Sequence, residues 1–111
     1  MKIAVNDHFG GFSLAPEVFA HLGMEDKYHG YLYSDDFGIA LDGQLEEMLA
    51  LRSDPRLIAA IEAAAPNAHR DWRSGDSIRI VEVPDDVVTC YITDYDGRES
   101  VTWAMCEINH G

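Results

Sequence analysis

The stretch VVTCYITDYDGRESVTWAM, residues 87–105, carries its own strand register and limits the fold more than any other part of the chain. Asp96-Gly97 is a favoured two-residue hairpin turn, because both central positions tolerate the positive φ that matches strand twist. A turn there pairs Tyr95 with Arg98, Ile92 with Val101, Cys90 with Trp103 and Val88 with Met105. The last three pairs place six apolar or thiol-bearing side chains on one face. Thr89, Tyr91, Thr93, Ser100, Thr102 and Ala104 take the other. A slip of one residue would turn every apolar side chain outward. A helix after the turn is the rival reading, and the strict alternation of Val101, Trp103 and Met105 argues against it.

Two further strands are expected. Residues 2–6 alternate Ile3 and Val5 with Lys2, Ala4 and Asn6, and residues 77–83 (SIRIVEV) are rich in β-branched side chains. Helices are expected over about residues 15–22, 41–51 and from Pro55 to the alanines before Pro66. The first has Ser13 or Ala15 as its cap, Pro16 in its first turn and Gly23 at its end. The second has Asp42 as its cap, with Leu45, Met48 and Leu49 on one face. The third opens on Ser53-Asp54-Pro55, a capping side chain followed by proline. Residues 24–43 read as an acidic loop in which Tyr31-Leu32-Tyr33 could form a short strand. The sum is one α+β domain spanning 1–111. Its antiparallel sheet comprises the N-terminal strand and the C-terminal hairpin, with two to three helices packed on one face.

With 111 residues, 47% of them hydrophobic, the chain can bury one core. No apolar run approaches the roughly 20 residues of a membrane span. Lys2 is followed by only Ile3, Ala4 and Val5 before polar residues, which leaves no signal-peptide core and implies a cytoplasmic protein. Eight Lys and Arg stand against twenty Asp and Glu, a formal net charge of −12. Such a field repels nucleic acid and anionic membranes and attracts basic partners.

The glycines of DHFGGFSLAPEVF (residues 7–19) follow a strand and precede a helix, the order of a phosphate-binding loop. The details fail: neither G-x-x-x-x-G-K-[ST] nor G-x-G-x-x-G is present, and no Lys or Arg lies between Lys2 and Lys27. The reading is a bend, with Phe9 and Phe12 closing over the core. Cys90, Cys106, His110 and His8 lack zinc-finger spacing and read as ordinary side chains, the two cysteines as free thiols. No cofactor or metal is implied. Asp94, Asp96 and Glu99 around the hairpin tip offer at most a weak cation site, lacking the rest of a calcium loop. The clearest enzyme alternative is a small metal-dependent hydrolase using Asp7, His8 and these hairpin carboxylates.

Four stretches, MKIAVNDHFGGFSLAPE, RSDPRLIAAIE, IRIVEVPDDV and DYDGRES, resemble in order and wording a group of small bacteriophage and prophage proteins. They cover somewhat under half the chain, and residues 24–51 depart from the pattern. The group offers no catalytic motif. The resemblance implies a phage accessory protein made inside a bacterium, with a structural phage protein as one form of it. In size and charge the chain is also similar to anti-CRISPR proteins, some of which mimic DNA. The resulting expectation is a non-enzymatic acidic protein that inhibits a host nucleic-acid-handling defence complex. Its partner would be a basic protein surface, with a CRISPR–Cas effector subunit favoured, and it would contact neither nucleic acid nor membrane. Tyr31, Tyr33, Asp35, Asp36, Glu46 and Glu47 are the expected contact residues, because tyrosines anchor interfaces and these lie in the departing segment.

Overall fold

The computed structural model describes residues 1–7, 11–65, 68, 78–87, 89–95 and 98–105. In chain order these form β1 (Lys2–Asn6), α1 (Pro16–Leu22), a 3-10 turn (Ser34–Phe37), α2 (Gln44–Arg52), α3 (Pro55–Ala64), β2 (Ile78–Glu82), β3 (Thr89–Tyr95) and β4 (Arg98–Ala104). The architecture is α+β, as the patterning implies. The four strands pair two by two, β1 with β2 and β3 with β4, both antiparallel. The hairpin holds the register read from its turn: Tyr95 opposes Arg98, Ile92 opposes Val101 and Cys90 opposes Trp103. The pair of Val88 with Met105, and the turn residues themselves, lie outside the described residues. On the outer face the Thr93 and Ser100 hydroxyls share a 2.8 Å hydrogen bond, a cross-strand polar pair.

β1 is covered on both sides. Ala4, with its neighbour Ile80 across the ladder, faces Leu14, Val18 and Phe19 around α1 and Leu57, Ile58 and Ile61 of α3. Ile3 and Val5, with Val81, face Ile92 and Val101 of the hairpin and Met48 and Leu49 of α2. Ala4 and Asn6 are therefore as buried as Ile3 and Val5. Two-sided cover erases the inside–outside alternation that an exposed strand face would show. Full burial of a side chain such as Leu57 contributes about 1.5–3 kcal/mol.

Between β1 and β4 the interior is polar. The Nη1 and Nη2 atoms of Arg52, the last residue of α2, donate to the two carboxylate oxygens of Glu99 at 2.5 and 2.8 Å. Arg52 is 7% exposed and Glu99 5%. Nη1 also donates to the Ala4 carbonyl at 3.2 Å, and Glu99 Oε1 accepts the Asn6 N–H at 2.8 Å. The Arg52 guanidinium carbon stands 3.6 Å from the centre of the Phe12 ring.

The direction of these bonds follows from the ladder. Met1 and Val83 exchange both backbone hydrogen bonds. Pairs alternate along an antiparallel ladder, so Ala4 and Asn6 point their backbone groups away from β2. That open edge of β1, where β4 approaches, is closed by two side chains instead of a third strand. An open edge with no partner would cost about 1–3 kcal/mol for each buried group.

Several local expectations need correction. Glu99 is not a tip carboxylate open to a cation: it lies on the inward face of the hairpin and is held by Arg52 and Asn6. No strand forms at Tyr31-Leu32-Tyr33. The chain turns at His29 and Gly30, both at positive φ, and Asp36 Oδ2 accepts the Tyr33 N–H. Gly43 occupies the cap position of α2 and Asp42 does not bond to it. Leu45 leaves the stripe formed by Met48 and Leu49 and is 63% exposed. Ala15 precedes α1 without a side-chain cap, while the Ser13 hydroxyl donates to the His29 carbonyl. Gly23 ends α1 at φ 69°, a conformation glycine adopts without strain.

The start of α3 forms as read, and its triplet serves two helices. The Ser53 hydroxyl donates to the Leu49 carbonyl and closes α2. Asp54 Oδ1 accepts the Arg56 N–H at 2.9 Å, and its carboxylate takes the Arg56 guanidinium as well. The Arg56 side chain holds the Asp54 carboxyl below its ordinary value of 3.8. A lowered folded-state pKa contributes stability above the unfolded value and loses it as pH falls through the folded one. Asp54→Ala should therefore lower the unfolding free energy by about 0.5–2 kcal/mol near neutral pH. Urea unfolding of both proteins should show that gap narrowing below about pH 4. An unchanged gap under strongly acidic conditions would contradict the assignment.

Candidate functional site

The 3-10 turn docks against the N-terminal end of α2 through Glu47. Its Oε2 accepts the Leu41 N–H at 3.2 Å and the Ser34 hydroxyl at 3.4 Å. This places Tyr31, Tyr33 and Glu47 around one groove of about 350 Å³, whose floor is made by Phe12, Met48 and Leu51. The groove falls at the lower end of the size range of small ligand sites. Tyr31 is 44% exposed and Tyr33 55%.

Both rings are braced. The Tyr28 and Tyr33 rings meet edge to face, with centroids 5.1 Å apart and planes at 85°. The hydroxyl end of Tyr31 lies so close over Gly11 that a Cβ there would collide with it. Close approach is thus a structural use of Gly11, which the sequence presents only as part of a bend.

The other three expected contact residues lie elsewhere. Asp36 caps Tyr33 and lines a separate groove of about 590 Å³ with Leu22, Phe37 and Arg56. Glu46 folds back over the Gly43 backbone, where a carboxylate favours the positive end of the helix dipole. Asp35 is exposed on the 3-10 turn. Three of the six residues therefore share a cavity, and the other three lie outside it.

Phe12 and Arg52 were not legible as site residues. The hairpin register puts Glu99 on the same face as Ile92 and Val101, but nothing in the sequence names the cation that meets it.

The residues of the hydrolase reading do not assemble among the described residues. Asp7 accepts from Arg98 Nε at 3.0 Å and has Arg79 Nε at 3.7 Å. Glu99 is turned inward, Asp94 is exposed, and His8 and Asp96 lie outside the described residues. No three His, Cys, Asp or Glu side chains among the described residues stand close enough to hold a metal ion. Cys90 is a half-buried free thiol whose pKa burial pushes up, which makes it a weak nucleophile. Cys106 and His110 lie outside the described residues. No described helix is long and apolar enough to cross a membrane.

The contact over Gly11 gives a test of the braced geometry. Gly11→Ala should swing the Tyr31 ring off its seat, because the ring end is the movable partner, at a stability cost under about 1 kcal/mol. The check is a shift of the Tyr31 ring resonances in NMR spectra with a nearly unchanged urea midpoint; unmoved resonances would refute the packing. No protein-family model matches the chain, no curated protein matches its sequence, and no solved structure matches it.

Proposed function

We propose that this chain is a non-enzymatic acidic binding protein that blocks a nucleic-acid-handling complex of a bacterial host, a CRISPR–Cas effector subunit being the favoured target. It acts in the host cytoplasm by laying carboxylates and tyrosines on a basic groove shaped for phosphates. The observation that carries this reading is the surface of residues 24–47. That segment holds seven acidic residues (Glu25, Asp26, Asp35, Asp36, Asp42, Glu46, Glu47) against one Lys, and it exposes Tyr28, Tyr31 and Tyr33.

The five described cationic side chains outside that segment support the same reading. Lys2 pairs with Glu62, Arg52 with Glu99, Arg56 with Asp54, and Arg79 and Arg98 with Asp7. With these positive charges matched locally, much of the net charge of −12 is left to surface carboxylates. Complementary potentials of that kind raise association rates and fix orientation on a basic partner. The resemblance to phage and prophage proteins supplies the biological setting.

The test uses two exposed carboxylates, Asp35 and the helix-end Glu46, whose loss costs the fold little. Asp36 and Glu47 serve the 3-10 turn and α2, so Asp35→Lys combined with Glu46→Gln is the better variant. The wild-type chain should compete with duplex DNA for the effector, less well as salt rises. The double variant should compete on the order of tenfold less well while unfolding at a similar urea concentration. Equal competition by both proteins, or competition insensitive to salt, would refute the reading.

A further inference from the structure

We infer that the groove lined by Tyr31, Tyr33 and Glu47 receives an arginine side chain of the basic partner, an assignment that rests on the acidic-binding reading above. Three observations converge on a planar cation. The lining includes two exposed tyrosine rings, one packed against Tyr28 and one against the backbone of Gly11. An aromatic face attracts a cation, and a guanidinium plane stacks on it.

The charge of the lining is negative. Arg52 reaches the groove, but both of its terminal nitrogens are committed to Glu99, which leaves Glu47 to set the sign. Glu47 is also half-available. Among the described residues its two hydrogen bonds both fall on Oε2. Oε1 can then accept an N–H from a guanidinium that enters the groove. A lysine ammonium would satisfy the charge but not the stacking.

Two blocked peptides test the assignment, one of alternating glycine and arginine and one of alternating glycine and lysine. Binding is followed by NMR titration of the full chain at low salt. The arginine peptide should bind on the order of tenfold more tightly than the lysine peptide and should shift the Tyr31 and Tyr33 ring resonances. Glu47→Gln keeps an acceptor for the Leu41 N–H, so it should weaken the arginine peptide on the order of tenfold with at most a small fall in the urea midpoint. Gly11→Ala, acting from outside the groove, should abolish the preference for arginine by displacing Tyr31.

Equal affinity for the two peptides, unchanged by Glu47→Gln, would overturn the groove assignment while leaving the acidic docking surface standing. Failure of both peptides to bind would overturn the groove assignment and the acidic docking surface together.

Discussion

A buried guanidinium–carboxylate pair organises this small fold. Arg52 comes from the end of a helix and Glu99 from the second strand of a hairpin. Their free donor and acceptor positions meet the backbone of a third element, β1. A buried ion pair is often a poor stabiliser, because desolvating two charges offsets most of their attraction. Here the pair has a second task. It satisfies backbone groups on the strand edge that β2 does not reach, which an apolar side chain could not do.

That task explains the arrangement of the strands. The hairpin lies beside β1 but does not extend its ladder, since the space between them is filled by side chains. The same pair reaches the candidate site. Phe12 stacks on the Arg52 guanidinium and forms part of the groove floor, so the position of the floor depends on the ion pair. The tyrosine walls are set separately, by a glycine contact and an aromatic edge. The groove thus takes its lining from several parts of the fold, although the segment that carries its tyrosines contains only one short 3-10 turn.

Much of the fold was legible in the sequence where local chemistry decides it. The Asp96-Gly97 turn fixed the hairpin register, Ser53-Asp54-Pro55 fixed the start of α3, and Gly23 fixed the end of α1. What failed was decided by distant partners. Ile3 and Ala4 are equally buried because helices cover one side of β1 and the hairpin the other. The strand suggested by Tyr31-Leu32-Tyr33 has the right composition but pairs with no strand among the described residues. Glu99, in the polar run DYDGRES, looks like a solvated turn residue, and Arg52 looks like an ordinary cation at a helix end. Nothing in their spacing couples positions 47 apart in sequence. The site was half-legible for the same reason. Its tyrosines and acids were visible as composition, but only the docking of the 3-10 turn on α2 separates Tyr31, Tyr33 and Glu47 from the rest.

The claim that the ion pair serves the edge of β1 is tested most directly by a double-mutant cycle with Arg52→Met, Glu99→Met and both together, measured by urea unfolding. A pair that only compensated its own burial would be replaceable by two apolar side chains at little or no cost. If the pair closes the strand edge, the double variant leaves the Asn6 N–H and the Ala4 carbonyl without these partners. It should then remain destabilised by about 2 kcal/mol or more. Each single variant should cost about 3–5 kcal/mol, because it strands a buried charge. A double variant as stable as the wild type would contradict the account.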